Sequence, residues 1–162
     1  MNDKNQLVVG WFSFTCCEGC LILLTELLNQ NFDNWRKLIE FRHIKALKRN
    51  NSLKDLDIAF VEGAISSPKQ EEKLKEIRDN CTHLVAIGAC ATTGRPSATR
   101  NDLVEKDLDY KMLWYFEKFD YADKVKKISE VVKVDAQVPG CPMNAQLFIA
   151  AVEKFLKLYK LI

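Results

Sequence analysis

Thr15-Cys16-Cys17-Glu18-Gly19-Cys20 stands between two apolar runs: Gln6-Leu7-Val8-Val9-Gly10-Trp11-Phe12-Ser13-Phe14 before it, and Leu21-Ile22-Leu23-Leu24 with Leu27-Leu28 after it. The first run has the branched and aromatic bias of a buried strand. The second reads as a short helix over residues 21–28, apolar nearly all round, either a core helix or one that docks on another subunit. Glu26 in its midst calls for a partner or water, because an isolated buried carboxylate is costly. The stretch is therefore a strand–turn–helix junction with thiols at the turn. Cys17 and Cys20, three residues apart, can grip one metal centre, and Gly19 lets the backbone fold tightly around it. A lone C-x-x-C also serves zinc sites and thiol–disulfide enzymes. The stronger signal is that Cys90 and Cys141 sit in the same kind of place, where a strand ends and a helix begins.

Outward from that junction the chain alternates. The region 29–54 fits helix and strand about equally, and a strand near 38–45 is favoured by the fold. Residues 56–61 make a confident strand ending in Glu62-Gly63-Ala64. Ser66 or Ser67 before Pro68 starts a helix that runs to about Asn80, with Leu74 and Ile77 inward. Residues 82–87 are the next strand and deliver Gly88-Ala89-Cys90. Residues 91–101, rich in turn formers, read as a functional loop. Residues 102–119, including Val104 and Leu108, read as a helix with a large aromatic face. Val125 to Glu130 is a short helix or loop, and residues 131–135 read as the last strand. Val138-Pro139-Gly140-Cys141-Pro142 leads into an amphipathic closing helix, about 143–160, with Leu147, Phe148, Ala151, Val152, Phe155 and Tyr159 on one side. This alternation predicts a three-layer α/β fold, a mainly parallel sheet with helices on both faces. Ligands in such sheets bind beyond the carboxyl ends of the strands. Cysteines after the first, fourth and last strands can therefore meet at one edge.

The 162 residues read as one domain, large enough to bury roughly 70% of its unfolded surface. The 24 basic and 22 acidic residues leave a formal charge of +2, which gives no reason to expect nucleic acid. From Arg36 to Lys54 there are seven basic residues against Glu40 alone, a solvated face or a docking site for an acidic partner. The N-terminus lacks the basic and apolar regions of a secretory signal, and no apolar run approaches the ~20 residues of a membrane span. A cytoplasmic, reducing setting is the expectation, in which six cysteines are ligands or free thiols before they are disulfides.

Four thiolates are what a cubane iron–sulfur cluster requires, and Cys17, Cys20, Cys90 and Cys141 are the candidates. A thiol at a helix N-terminus is expected to have a lowered pKa. Pro142 suits the first turn of the final helix, and Gly19, Gly88 and Gly140 clear side chains from where amides would approach sulfur. A structural zinc site could use the same thiols, although it usually pairs two short knuckles and here only one exists. Cys81 reads as a small core residue, Cys16 as a packed neighbour of Cys17, and His43 and His83 as surface or strand-edge residues. No nucleophile–base pair and no phosphate loop is present, so no catalytic residue is expected on this chain.

With these residues in place the sequence resembles the small, electron-transferring subunit of nickel–iron hydrogenases. The likeness runs through Thr15–Cys20, Val61-Glu62-Gly63-Ala64-Ile65, Gly88–Gly94 and Pro139-Gly140-Cys141-Pro142. It implies a flavodoxin-like fold and one proximal 4Fe-4S cluster on Cys17, Cys20, Cys90 and Cys141, facing a nickel–iron centre on a large-subunit partner. Glu18, Gly19, Glu62 and Gly140 fall beside that cluster. The chain looks like the short, one-cluster subunit of soluble cytoplasmic enzymes. The loop Gly94–Asn101 is similar to that of the bidirectional NAD-linked hydrogenases, which implies a flavin- and cluster-containing diaphorase module downstream. The cluster subunit of complex I and of membrane-bound hydrogenases belongs to the same superfamily. In complex I two adjacent cysteines both bind iron, a pair that Cys16-Cys17 mimics, so a cluster-carrying subunit of a complex-I-like or membrane-bound hydrogenase-like assembly is the alternative expectation.

Overall fold

Strand β1 (Leu7–Ser13) is buried at six of its seven positions, as a strand must be when both faces of its sheet are covered. The computed structural model describes residues 5–103 and 110–162. Within them β1 is flanked by β2 (Ile39–Ile44) and β3 (Leu56–Glu62), followed outward by β4 (Cys81–Ile87) and β5 (Ala136–Val138). The order is β2-β1-β3-β4-β5 and every pairing is parallel. Alternation along the strands sorts side chains by face. Leu7, Val9 and Trp11 join Ile58, Phe60, Val85 and Ile87 under helices α1 (Gly19–Leu38) and α5 (Ala145–Leu158). Val8, Phe12, Ala59, Val61, Leu84 and Ala86 face the other way, against Leu74 and Ile77 of α2 (Pro68–Asp79) and Ala91 of α3 (Gly88–Thr93). Helices thus lie on both faces of the sheet, as the alternation predicts.

Several elements differ from the sequence reading. Helix α1 extends from Gly19 to Leu38 rather than over 21–28, because Leu24, Leu27 and Trp35 keep a buried stripe at helical spacing through the polar second half. Glu26 is on its exposed side, so water solvates the carboxylate. Residues 91–101 are not an open loop: α3 occupies Gly88–Thr93 and a 3-10 turn spans Ser97–Asp102. The last strand is β5 at 136–138, not 131–135. Val131, Val132 and Val134 instead plug the second apolar cluster beside Ile128. Asp135 anchors the segment there, its carboxylate accepting the Leu84 N–H at 2.8 Å and the Arg78 guanidinium at 3.0 Å. Helix α5 begins at Ala145 with Asn144 as its cap, so Pro142 lies before the helix and not in its first turn. Leu147 is exposed, and Leu156 takes a core position. Of the 102–119 helix, α4 (Tyr110–Lys118) is described, with no buried residue; Val104 and Leu108 lie outside the described residues, as does the start of the chain to Lys4. No helix among the described residues is long and apolar enough to cross a membrane.

Candidate metal centre

The site begins where β1 and β3 release their chains side by side. The Phe14 N–H donates to the Glu62 carbonyl at 2.9 Å, and Thr15 and Ala64 exchange a pair of backbone bonds at 3.1 and 2.9 Å. Two loops this close leave no room for a side chain at residue 63. A Cβ on Gly63, whose φ is +95°, would lie 2.8 Å from the Phe14 carbonyl carbon. Thr15 Oγ1 also meets Ser66 Oγ at 2.6 Å, which ties the loop to the start of α2. Glu18 then turns the chain with a left-handed φ of 60°, and α1 starts at Gly19 with Cys20 in its first turn.

From the other side β4 delivers Gly88 and Cys90, and β5 delivers Gly140 and Cys141. These two ends are joined by the Ala89 N–H, which donates to the Gly140 carbonyl at 2.7 Å. A Cβ on Gly88 would stand 2.6 Å from Cys20 Sγ, so the absent side chain is what lets α3 and α1 meet. The Met143 N–H points at the same sulfur, 3.4 Å away.

The result is a cavity of about 90 Å³ walled by Cys16, Cys17, Cys20, Cys90 and Cys141, together with Gly19, Glu62 and Gly140. All four thiols proposed as ligands from sequence come together there. Cys16, read as a packed neighbour, also lines the cavity, although its thiol turns back to the Phe14 carbonyl at 3.6 Å. Cys17 and Cys141 are exposed and Cys20 and Cys90 half-buried, so the cavity opens to the surface on one side. A single tetrahedral ion needs its sulfurs about 2.3 Å from one point. Among the described residues no three His, Cys, Asp or Glu side chains are disposed to hold one ion. Four thiols lining one cavity are the donor set that a four-thiolate cluster uses.

At Cys20 and Cys90 the protonation chemistry is opposite to the sequence expectation. Burial pushes the Cys20 thiol up to about 11, against the lowering effect of the Met143 amide, and raises Cys90 as well, with Cys141 and Cys17 adding to it. Cys16 rises to about 12, again chiefly by burial. Desolvation dominates at Cys20 and Cys90, and a bound cation is what would hold the sulfurs as thiolates. Glu62 is 1% exposed. Its Oε1 accepts from Ser13 Oγ at 2.6 Å and Trp11 Nε1 at 3.2 Å, while Oε2 has no hydrogen-bond partner among the described residues. Glu18 is exposed and does not line the cavity; it faces a separate pocket with Ser13, Leu21 and His43. The amide of Met143 was not foreseeable from residue type, since any residue there presents the same N–H.

The remaining candidates lie elsewhere. Cys81 is half-buried beside Arg78 and packs on the second core cluster. His43 is on the edge strand but buried rather than at the surface, stacked on Phe12 at 4.3 Å with Nδ1 donating to the Trp11 carbonyl at 3.1 Å. His83 packs between the rings of Phe155 and Tyr159.

Residues 17–155 match the family described as NADH ubiquinone oxidoreductase, 20 kDa subunit. The chain is 36% identical over 174 aligned positions to the NAD-reducing hydrogenase HoxS subunit delta of Cupriavidus necator, covering 94% of this chain and 79% of that one. It is 29% identical to the sulfhydrogenase 2 subunit delta of Pyrococcus furiosus, over 85% of this chain and 57% of the relative. A component of the F420-non-reducing hydrogenase of Methanothermobacter marburgensis is 24% identical over 97% of this chain, which spans 55% of that relative's length. Against several of these relatives the chain therefore covers little more than half their length. In fold, it superposes on a chain of an NAD+-reducing [NiFe]-hydrogenase with a TM-score of 0.76 at 23% identity, over 93% of this chain and 91% of that one.

Proposed function

This chain belongs to the family of the 20 kDa subunit of NADH ubiquinone oxidoreductase, and from that premise we propose that it is the electron-transferring small subunit of a nickel–iron hydrogenase. Its ligands are Cys17, Cys20, Cys90 and Cys141, holding one 4Fe-4S cluster, and the nickel–iron centre belongs to a large-subunit partner at the open mouth of the cavity. A diaphorase module that exchanges electrons with NAD is the proposed next member, supported by the name of the 36% identical relative. The setting proposed is the cytoplasm. The carrying observation is that thiols from three separate strand ends wall one cavity at the carboxyl edge of the sheet.

When bound, the cluster supplies one-electron redox chemistry that the protein groups lack. The chain's own residues supply position and environment. Met143 offers its N–H to Cys20 sulfur, and so partly neutralises negative charge placed there. Gly88 keeps the sulfur free of a side chain, and Ile87 and Pro142 line the cavity with apolar surface.

The test is purification with the partner subunits, followed by iron and sulfide analysis and electron paramagnetic resonance of the reduced complex. The expected result is one cluster signal that disappears on Cys90→Ser or Cys141→Ser, with iron and sulfide each falling by about four per complex. Zinc without iron would overturn the proposal. A second reading, a cluster relay in a complex-I-like assembly with no hydrogen chemistry, is favoured by the family's own description and by the presence of Cys16 in the cavity wall. It predicts a cluster lost with Cys16→Ser and retained with Cys20→Ser, and no H2-dependent dye reduction. The hydrogenase proposal predicts the reverse on each count.

A further inference from the structure

Residues 36–54 carry Arg36, Lys37, Arg42, Lys45, Lys48, Arg49 and Lys54 against Glu40 alone, a formal +6 in a chain whose total is +2, so the remainder of the chain sums to −4. Part of this charge borders an apolar groove. A cavity of about 570 Å³ lies between the second half of α1 and edge strand β2, with Phe32, Phe41 and Leu47 in its wall and Arg36 and Lys48 beside them. Phe32 and Leu47 are 57% and 54% exposed. Two large apolar side chains facing one groove are more than scattered surface hydrophobics.

Of the basic residues, Arg36 and Lys48 line the groove, and Lys45 and Arg49 lie two positions to either side of Leu47 in the sequence. Asp33, the acid of the groove, meets Arg36 at 3.5 Å, and Arg42 is held by Glu40 at 2.8 Å. Lys37, Lys45 and Arg49 are exposed and have no ion pair among the described residues. The edge of β2 is closed to an added strand. Lys48 Nζ donates to the Phe41 carbonyl at 2.6 Å, the Ser52 N–H to the Arg42 carbonyl at 3.3 Å, and the Ile44 N–H to Asn51 Oδ1 at 2.7 Å. An occupant must therefore be held by side chains rather than by backbone pairing. A second copy of this chain is disfavoured by charge, since a two-fold contact would set one +6 segment against another. The groove shares no lining residue with the thiol cavity, so it can be filled while the cavity mouth is engaged.

We infer that this groove docks an acidic segment of a further subunit, one that places apolar side chains between Phe32 and Leu47 and carboxylates against Lys45, Lys48 and Arg49. Only one element is taken from the proposed function: that the chain works inside an assembly. Apolar burial holds the segment, and the basic rim sets its identity and speeds its approach.

The test uses the assembled complex, purified from cells with the photo-reactive amino acid p-benzoylphenylalanine in place of Leu47. After irradiation, linked peptides are sequenced. The expected product joins Leu47 to a segment of another subunit in which Asp and Glu outnumber Lys and Arg. Combining Lys45→Glu with Arg49→Glu should lower the yield of that product at least tenfold while leaving the visible absorbance of the complex unchanged. A link to a second copy of this chain, to nucleic acid or to a segment without acidic excess would overturn the inference, as would no link at all. A charge-reversed complex that links as well as the parent would also sink it. If the link forms in a complex that contains no iron, the proposed function fails and the groove stands. If iron and H2-dependent dye reduction are intact but Leu47 links nothing, the groove alone fails.

Discussion

Gly88 concentrates the demands of the site in one absent methyl group. Its φ of +77° suits glycine and strains other residues, and a Cβ would press on Cys20 Sγ at 2.6 Å. Gly88→Ala is therefore expected to lower stability by about 2 kcal/mol, a Tm drop of roughly 4–8 °C for a domain of this size. It should also lose most of the bound iron, because the sulfur must move to relieve the contact. Iron analysis beside a thermal melt checks both, and a fully loaded variant with the parent Tm would contradict the close approach. His43 makes a different demand. Burial lowers its pKa below the usual 6.5, with Lys45 and Lys73 adding and the Trp11 carbonyl opposing. Since the folded chain holds the ring neutral, the unfolded chain takes up the proton first as pH falls. The stability is fully present above pH 6.5 and declines below it, with a slope of at most about 1.4 kcal/mol per pH unit. Urea midpoints measured from pH 7.5 to 5.0 should show that decline, and His43→Gln should flatten it. An unchanged slope in the variant would assign the decline to other groups.

At the level of elements, Asp135 explains both how the sheet is finished and why its last strand was misplaced in the sequence reading. Val131-Val132-Lys133-Val134 has strand composition, yet its valines serve as core plugs, and pairing with β4 begins only at Ala136. The Asp135 carboxylate takes the Leu84 N–H, and its own N–H donates to the Leu84 carbonyl at 2.9 Å. A side chain thus does the work of a ladder bond, which period-two patterning does not reveal. Asp135→Ala is expected to cost about 2–3 kcal/mol, since a half-buried amide and Arg78 lose a charged partner together. A urea midpoint within error of the parent would refute this. The core elements were legible for a simpler reason. β1, β3 and β4 are apolar on both faces, α2 carries the Ser67–Pro68 start, and each signal is local. The length of α1 was less so, because its second half shows one buried aromatic, Trp35, among exposed polar residues.

On the scale of the molecule, the thiols were legible as a set because parallel topology sends every strand end to the same edge. Their environment was not, since burial depends on which loops crowd the cavity. That environment divides the cysteines by access and by charge. Cys17 and Cys141 are exposed at the mouth, whereas burial holds Cys20 at about 11 and Cys16 at about 12. At pH 8 a thiol with a pKa near 11 is thiolate in about one molecule in a thousand, and the thiolate is the nucleophile. Brief iodoacetamide treatment of the metal-free chain at pH 8 should therefore modify Cys17 and Cys141 well before Cys16 and Cys20, as peptide mass spectrometry would read. In the assembled complex the order should disappear. Cluster ligation would remove Cys17, Cys20, Cys90 and Cys141 from reaction together, and the large subunit would cover the mouth, leaving Cys81 as the thiol whose access is unchanged by assembly. Rapid labelling of Cys141 in an iron-replete complex would mean that it is neither ligand nor interface, and with it the three-ended construction of the site would be lost.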